Sequence, residues 1–268
     1  MRISKFLVVL TAALMLCSNA DARKKECGIV AHRGFWNCEE AGYAKNSVAA
    51  LRCAQQAGFW GSEFDVNMTS DGVLLVYHDG KVDGKSIEKN PYSEFKNHRI
   101  RNGEPIPTID EYLEQGKKCP ETMLVYELKK HSCRKVEDRF VDLTIEKLKE
   151  HGLLDPQRVM FISFSFHMCQ RLAAKLPGFT VQFLSGNRAP AKVKSKGING
   201  IDYEYTVFGR HPKWIDKAHE LGMSTNSWTV NKEEDMAEMF ELDIDCITTD
   251  NPLTARALLE TMGYTELR

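Results

Sequence analysis

The sequence predicts an α/β fold, a (β/α)8 barrel, because short apolar runs alternate with longer amphipathic stretches from Gly28 to the end of the chain. Strands that alternate with helices in this way form parallel sheets. Eight such units can be counted, and 268 residues with 43% hydrophobic content match one barrel domain in length and core size. An open doubly wound sheet is the alternative, but neither a Gly-x-Gly-x-x-Gly motif nor a P-loop follows the first strand.

The eight predicted strands are the apolar runs at residues 29–31, 62–67, 123–126, 158–163, 180–184, 200–204, 223–230 and 245–249. Each is followed by a predicted helix, at residues 48–57, 108–116, 134–151, 166–176, 191–196, 212–221, 232–242 and 252–262. Residues that favour helix ends mark several of these boundaries. Ser47 and Thr108 are N-cap candidates, and Gly58 and Gly152 are helix stops.

A polar segment at residues 81–107 interrupts the alternation after the second strand. It follows a hairpin-like apolar run at residues 73–78 and is rich in charged residues. Such a segment is long for a barrel loop. We therefore expect a short polar excursion at the surface, which forms a lid or an edge of the barrel.

The first 22 residues have the layout of a secretory signal peptide, so the mature domain is predicted to span residues 23–268. Two basic residues precede an apolar run at residues 6–17, and Ala20 and Ala22 offer a small-residue cleavage site. The apolar run is too short to be a stable transmembrane span. We expect an exported protein, periplasmic or secreted. Lipid anchoring at Cys17 is less favoured, because a bulky leucine precedes this cysteine.

The balance of charge excludes two classes of partner. The net charge is −1 and the isoelectric point is about 6.7, whereas proteins that bind nucleic acids or anionic membranes need a basic excess. A small-molecule substrate needs only a local site. Of the eight cysteines, all but Cys17 would remain in the mature chain. Their spacing assigns no disulfide pairs, and many would serve as small core residues.

The most informative stretch runs from Glu63 to Asp79. Glu63 and Asp65 are two positions apart on a predicted strand, so their side chains point to the same face. A turn and the apolar run 73–78 follow, and this run ends on His78. Two carboxylates from one strand end can share a divalent cation. An exposed strand face and a hairpin end are the alternative interpretation of this stretch alone.

Similar polar side chains end other predicted strands. His32 and Arg33 follow the first strand, Glu127 and Lys129 end the third, and Trp228 lies in the seventh. Active sites of (β/α)8 barrels are built at the carboxyl ends of the strands. The joint position of these side chains therefore favours one functional site over isolated core histidines, cross-strand ion pairs and packing tryptophans.

This set of side chains suits phosphoryl transfer. The predicted ligands of one divalent cation, Mg²⁺ or Ca²⁺, are the three carboxylates Glu63, Asp65 and Glu127. The cations suited to phosphate oxygens are Arg33 and Lys129. The predicted acid/base pair is His32 and His78, of which one deprotonates the attacking oxygen and the other protonates the leaving alkoxide.

The motifs that carry these residues resemble those of the glycerophosphodiester phosphodiesterase family over residues 28–259. They are Ala31-His32-Arg33-Gly34, Glu63-Phe64-Asp65, Thr69-Ser70-Asp71-Gly72, His78-Asp79, Glu127-Leu128-Lys129, Ser163-Phe164-Ser165, Trp228-Thr229-Val230-Asn231 and Thr249-Asp250-Asn251-Pro252. The resemblance implies a TIM barrel that hydrolyses glycerophosphodiesters to glycerol 3-phosphate and an alcohol. It also implies that His32 and His78 are the acid/base pair. The metal ligands would be Glu63, Asp65 and Glu127, the phosphate-binding residues Arg33 and Lys129, and the pocket-lining residue Trp228.

One position departs from the family pattern. After His-Arg-Gly the family usually has a Pro-Glu-Asn-Thr-like stretch, whereas this chain has Ala44-Lys45-Asn46-Ser47. Lys45 therefore replaces an acid at the rim of the predicted site. An insertion at residues 34–43, with Trp36 and Cys38, precedes it. Both changes are expected to alter substrate choice or metal affinity.

Two other functions remain as alternatives to the diesterase. A non-catalytic barrel would bind phospholipid headgroups or a partner protein without releasing glycerol 3-phosphate. A glycoside hydrolase would use Glu63 and Glu127 as its carboxylate pair, and it would be indifferent to metal chelation. Arg33 and Lys129 have no evident role beside such a pair.

Overall fold

The computed structural model describes residues 25–267. The predicted signal peptide at residues 1–22 and the candidate lipidation site Cys17 lie outside the described residues. The strands, in chain order, are β1 (Glu26–Ala31), β2 (Gly61–Met68), β3 (Leu74–Val76), β4 (Lys81–Val82), β5 (Lys85–Ser86), β6 (Met123–Leu128), β7 (Val159–Ser163), β8 (Val181–Phe183), β9 (Gly200–Glu204), β10 (Ser224–Trp228), β11 (Cys246–Thr249) and β12 (Thr265–Glu266).

Eight of these strands form a closed parallel barrel in the order β1, β2, β6, β7, β8, β9, β10, β11. The barrel closes where β1 pairs with β11 on one side and with β2 on the other. The predicted (β/α)8 architecture is therefore confirmed. Its eight strands are the eight apolar runs of the sequence, because parallel strands buried on both faces require continuous hydrophobic segments.

The helices, in chain order, are α1 (Val48–Gln56), α2 (Ile109–Gly116), α3 (Arg134–Glu150), α4 (Phe166–Lys175), α5 (Pro190–Lys194), α6 (Tyr205–Arg210), α7 (Lys213–Glu220), α8 (Glu233–Glu241) and α9 (Pro252–Thr261). The predicted caps of two helices are present. The Ser47 hydroxyl accepts a hydrogen bond from the Ala50 amide, and Thr108 forms a capping box with Glu111. These caps satisfy amides that would otherwise lack partners in the first turn.

Alternation along the strands divides the core into two layers. Phe64 and Tyr126 point outward and belong to the large apolar cluster that also contains side chains of the surrounding helices. Val30, Val125 and Ile162 belong to a smaller cluster of strand residues. Because successive strand side chains point to opposite faces, Glu127 projects to the same side as Val125, inside the barrel. The strands thus carry polar side chains inward at their carboxyl ends.

The excursion after β2 is more ordered than its polar composition predicted. Strand β3 pairs antiparallel with β2, β4 pairs with β5, and a single 3-10 turn spans Tyr92–Glu94. A separate apolar cluster lies beneath it, formed by Leu75, Val82, Ile87, Phe95 and Ile106. These few side chains are widely spaced in the sequence, so their joint burial depends on the tertiary fold. Helix α6 and strand β12 were likewise not predicted.

The cysteines of the described chain are unpaired, because none of the seven between residues 25 and 267 forms a disulfide. Cys27, Cys169 and Cys246 are buried, as small core residues would be. Among the described helices, none is long and apolar enough to cross a membrane.

Candidate active site

The eight side chains that the sequence singled out line one pocket at the carboxyl ends of the barrel strands. The pocket has a volume of about 490 Å³ and includes His32, Arg33, Glu63, Asp65, His78, Glu127, Lys129 and Trp228. The fold therefore brings together all of the candidate residues, which lie up to 196 positions apart in the sequence.

The turn after β1 places His32 and Arg33 at the mouth of the barrel. Arg33 and Gly34 both adopt left-handed backbone conformations, with φ angles of 57° and 79°. A Cβ at Gly34 would lie 2.8 Å from the carbonyl carbon of Ala50, so only glycine fits here. The turn also aims the Arg33 amide at Glu63 Oε2, at 2.7 Å. The His-Arg-Gly motif is thus a backbone requirement as well as a source of functional groups.

A buried acidic triad occupies the floor of the pocket. Asp65 on β2 stands beside Glu127 on β6 in the strand register, and Glu63 lies two positions before Asp65. One oxygen from each carboxylate lies within 4.8 Å of the other two. Only 2%, 1% and 7% of Glu63, Asp65 and Glu127, respectively, is exposed to solvent. Three carboxylates this close together are costly to bury without compensating positive charge.

The pKa values of the triad reflect that cost. Burial, together with the charges of Asp65 and Glu127, raises the pKa of Glu63 well above its usual value. Burial and the charge of Asp65 also raise the pKa of Glu127, to about 7. Burial opposes ionisation of Asp65 as well, but the charges of Lys129, His78 and Arg33 outweigh it and lower the pKa of Asp65. Asp65 is therefore the carboxylate of the triad that ionises most readily.

The triad fits a divalent cation. It supplies three carboxylates, which are the hard oxygen ligands that Mg²⁺ and Ca²⁺ prefer. Glu63 Oε1 is buried and has no hydrogen-bond partner among the described residues. A buried acceptor without a donor is unusual in a folded protein, and a metal ion would satisfy it.

Two cationic side chains flank the triad. Lys129 Nζ lies 2.8 Å from Glu127 Oε1 and 3.1 Å from Asp65 Oδ1. Burial alone would lower the pKa of Lys129, but these two carboxylates outweigh burial and raise it. Arg33 Nε lies 3.4 Å from Asp65 Oδ2. Both side chains line the pocket beside the triad.

His78 reaches the pocket through the β2–β3 hairpin. The Tyr77 amide donates a hydrogen bond to the Asp65 carbonyl, which fixes the hairpin strand beside the triad. His78 Nδ1 lies 2.7 Å from Asp79 Oδ1. Burial lowers the pKa of His78, and the charge of Asp65 opposes this effect without cancelling it. The imidazole is therefore more acidic, when protonated, than an imidazole in water.

His32 is held by residues to which the sequence assigned no role. Its Nδ1 lies 2.8 Å from Asp250 Oδ1, and Asp250 also accepts hydrogen bonds from Trp36 Nε1 and Asn231 Nδ2, both at 2.9 Å. Burial would raise the pKa of Asp250, but these hydrogen bonds lower it far below its usual value. Asp250 and Asn231 lie in motifs that the sequence displays, but only the closed barrel shows that they converge on His32.

Trp228 forms an apolar wall with Phe164. Their rings meet edge to face with centroids 5.4 Å apart, and Trp228 Nε1 donates to the Asp202 carbonyl at 3.0 Å. The Asp202 side chain also lines the pocket. Burial and the charge of Glu127 raise its pKa well above the usual value. Asp202 is therefore harder to ionise than an exposed carboxyl, and it occupies a polar position of β9 that the sequence did not mark as a candidate.

Asn46 is another contributor that the sequence analysis missed. Its Nδ2 donates to Asp65 Oδ2 at 2.8 Å, and its Oδ1 accepts from the Asp65 amide at 3.1 Å. The pair of hydrogen bonds fixes both the backbone and the carboxylate of Asp65. The sequence shows Asn46 only as part of the stretch at residues 44–47, because its contact with Asp65 spans 19 positions along the chain.

The chain is similar in sequence to a family of known enzymes. Residues 32–254 match the model of the glycerophosphoryl diester phosphodiesterase family. A glycerophosphodiester phosphodiesterase of Caldanaerobacter subterraneus subsp. tengcongensis is 26% identical over 250 residues, which cover 88% of this chain and 98% of that protein.

Solved structures of glycerophosphodiester phosphodiesterases also superpose on this chain. A crystal structure of a glycerophosphodiester phosphodiesterase from Parabacteroides distasonis superposes with a TM-score of 0.86 and 37% identity, over 89% of this chain and 99% of that one. An Oleispira antarctica phosphodiesterase, solved in complex with the product sn-glycerol-3-phosphate, superposes with a TM-score of 0.74 and 22% identity. This match covers 87% of this chain and 96% of that one, and it shows a shared fold.

Proposed function

Because the chain belongs to the glycerophosphoryl diester phosphodiesterase family, and is therefore a phosphoric diester hydrolase, we propose that a divalent cation and two histidines carry out its reaction. The substrates are glycerophosphodiesters, and the products are glycerol 3-phosphate and an alcohol. The observation that supports this proposal is the convergence of the acidic triad and both histidines on one pocket. The match of residues 32–254 to the family model confirms the resemblance that the sequence motifs indicated.

The cation, Mg²⁺ or Ca²⁺, would be held by Glu63, Asp65 and Glu127. Bound there, it would supply positive charge that stabilises the phosphoryl oxygens during the reaction. Its charge would also favour ionisation of Glu63 and Glu127, whose pKa values are raised without it. The triad is thus a site whose full ionisation depends on the metal.

Arg33 and Lys129 hold the phosphate. Their side chains are 19% and 16% exposed, so they are accessible from the pocket but shielded from bulk water. Charge-assisted hydrogen bonds are strongest in such partly desolvated sites. The contacts with Asp65 fix both cations in place before substrate arrives, which reduces the entropy lost on binding.

His32 accepts the proton of the attacking oxygen, which belongs either to water or to the glycerol part of the substrate. If a glycerol hydroxyl attacks, the first product is a cyclic phosphate, and water then opens it to give glycerol 3-phosphate. A carboxylate that accepts from Nδ1 keeps the proton on that nitrogen and leaves Nε2 free to act as a base. As the new P–O bond forms, the bond between phosphorus and the headgroup oxygen breaks. His78, whose lowered pKa makes its imidazolium a better proton donor, protonates the leaving alkoxide.

Trp228 and Phe164 receive the glycerol carbons. Their edge-to-face pair is fixed by the Trp228 Nε1 hydrogen bond to Asp202, so the wall does not need to rearrange when substrate binds. The Asp202 carboxyl also lines this part of the pocket, and burial raises its pKa well above the usual value, so in its protonated form it would donate a hydrogen bond to a glycerol hydroxyl.

The proposal is tested by release of glycerol 3-phosphate from glycerophosphocholine and glycerophosphoethanolamine, with EDTA and then with Mg²⁺ or Ca²⁺ restored. We expect release that requires metal and that is lost in Glu63→Gln and His32→Ala. Glu241→Gln, an exposed residue at the end of α8, is the matched control and should retain activity. Release that persists in EDTA would remove the metal from the proposal. Saturable binding of both substrates with no release would favour the non-catalytic barrel instead.

A further inference from the structure

A second concavity, here called the rim groove, opens beside the active-site pocket. It lies between the loop after β1 and the excursion after β3, and its volume is about 770 Å³. Its walls carry three aromatic and three strongly basic side chains, namely Trp36, Tyr43, Tyr77, Lys45, Arg99 and Arg101. The groove is large enough to hold a ring-sized ligand group.

The positive charge of the rim groove is not neutralised by the protein. Between residues 25 and 267, no carboxylate lies within salt-bridge distance of Lys45, Arg99 or Arg101. Asp83 lies 2.9 Å from His98, which lines the groove, and Asp79 lies 2.7 Å from His78, so both of these acids already have partners. A groove with uncompensated cations attracts anions.

Two of these cations are held by aromatic rings instead of by acids. Lys45 Nζ lies 4.3 Å from the centre of the Trp36 ring, and the Arg101 guanidinium lies 5.3 Å from that of Tyr43. Cation–π contacts position a charge without cancelling it. They also occupy the rings that would otherwise attract a quaternary ammonium group, so a choline headgroup would meet cations here. The groove is therefore suited to negative charge rather than to positive charge.

The two walls of the rim groove are joined. Asn102 Nδ2 in the excursion donates to the Ala41 carbonyl in the β1 loop, at 3.3 Å. Gly42 approaches so closely that a Cβ there would lie 2.6 Å from the Asn102 Cβ. This contact holds the basic side chains of one wall opposite those of the other.

Two side chains of the rim groove lie next to the proposed catalytic histidines. Trp36 donates to the same Asp250 oxygen that contacts His32, and Tyr77 directly precedes His78. The apolar wall of the pocket, formed by Trp228 and Phe164, lines the active-site pocket but not the groove. If the glycerol occupies that wall, the groove beside the histidines is the place left for the departing alcohol.

We propose that the rim groove binds the headgroup and selects glycerophosphodiesters whose alcohol is a polyol that carries a further phosphate. This inference rests on the proposed diesterase function and adds its substrate class. Lys45, Arg99 and Arg101 bind the headgroup phosphate, and Tyr77, whose ring carries no cation, contacts the carbon skeleton of the polyol. The lysine that replaces the acid of the family pattern is thus a specificity determinant.

The test compares kcat/KM for glycerophosphoinositol 4-phosphate, glycerophosphoinositol and glycerophosphocholine. We expect a preference of roughly tenfold or more for the phosphorylated substrate over the other two, as one added charge-assisted hydrogen bond would give. Lys45→Glu should abolish this preference. Lys96→Glu changes the charge equally at an exposed position of the same excursion outside the groove, and it should leave the preference intact. An unchanged preference in Lys45→Glu would overturn the proposal.

Binding of the leaving group gives a readout that needs no turnover. Calorimetric titration with inositol 4-phosphate should show binding to the wild type and to Lys96→Glu, and a loss of roughly tenfold or more in affinity in Lys45→Glu. Inorganic phosphate is the comparison ligand and should bind more weakly. Equal binding of the two ligands would overturn the polyol assignment. If no diester is hydrolysed but inositol 4-phosphate still binds through Lys45, the proposed function fails while the headgroup site stands.

Discussion

His32 and Asp250 are 218 positions apart in the chain, yet His32 Nδ1 lies 2.8 Å from Asp250 Oδ1. The contact exists because β1 pairs with β11 where the barrel closes, so the residues that follow these two strands meet at its rim. The pKa of Asp250 is held far below its usual value by its hydrogen bonds, so Asp250 offers His32 Nδ1 a carboxylate. Asp250 is thus a positioning residue, which acts through His32.

We expect Asp250→Asn to lower kcat by roughly 10²–10⁴-fold, which is the range for a displaced general base. An amide at this position no longer favours the tautomer that leaves Nε2 free, whereas the phosphate contacts made by Arg33 and Lys129 remain. KM should therefore change little. Steady-state kinetics on glycerophosphocholine measures both parameters.

Asp216→Asn, at an exposed position of α7, is the matched control for Asp250→Asn and should keep wild-type kinetics. The pH dependence of kcat provides a second readout, because the limb that reports the base should shift in Asp250→Asn alone. Wild-type kcat and pH dependence in Asp250→Asn would show that the contact with His32 has no part in catalysis.

His78→Ala should affect poor and good leaving groups differently. If His78 protonates the alkoxide, its loss should slow hydrolysis of glycerophosphocholine by roughly 10²–10⁴-fold. The 4-nitrophenyl ester of glycerol 3-phosphate should be much less affected, because nitrophenolate leaves without protonation. The rates of release of choline and of nitrophenol measure this difference.

His32→Ala is the comparison for His78→Ala, because loss of the base should slow both substrates alike. Equal losses on the two substrates in His78→Ala would exclude His78 as the proton donor. A selective loss in His32→Ala instead would exchange the two roles.

Metal should stabilise the protein more at neutral pH than at acidic pH. Burial and the charge of Asp65 raise the pKa of Glu127 from 4.5 to about 7. A raised pKa in the folded state contributes stability that is fully present below pH 4.5 and is lost as pH rises through about 7. A bound cation would replace the proton, so the gain in Tm on adding Mg²⁺ or Ca²⁺ should grow between pH 5 and pH 8.

Thermal unfolding of the metal-free and metal-loaded protein measures this gain, with Glu241→Gln as the control. In Glu63→Gln the gain should be small at every pH, because one of the three carboxylates is missing. A gain in Tm that is independent of pH, or that is retained in Glu63→Gln, would place the cation outside the triad.

The exported location is tested at the N-terminus. If residues 1–22 are a signal peptide, the mature protein recovered from the periplasm or the medium should begin at Arg23. Intact-mass measurement of the native protein checks this cleavage. Recovery of the uncleaved chain from the cytoplasm would contradict export, and a mass increase at Cys17 would indicate a lipid anchor.

Much of the architecture was predictable from the sequence, because a parallel barrel needs eight apolar runs and these are visible without knowledge of contacts. The excursion was harder to predict, since Leu75, Val82 and Phe95 are separated by polar residues and form a cluster only when folded. The capping residues Ser47 and Thr108 were predictable because a cap acts within a few positions.

Some residues of the candidate site were predictable from local sequence, and others were not. Glu63, Asp65 and His78 could be recognised because the period of a strand sets which side chains point together. Asp250, Asn46 and Asp202 carried no such local signal, because each acts on a residue from a different strand or loop. Their roles follow from contacts that cross the barrel, such as those of Asp250 with His32 and of Asn46 with Asp65.

The order of strands and helices, the choice of phosphoryl-transfer chemistry and the identity of the eight pocket residues were properties of the sequence. They depend on residue type and on periodicity, which act over a few positions. The contact of Asp250 with His32 Nδ1, the raised pKa of Glu127 and the lack of salt bridges to Lys45, Arg99 and Arg101 were decided only by the tertiary structure. Each depends on charges and hydrogen-bond partners that distant parts of the chain bring within a few ångströms, where burial makes their effects large.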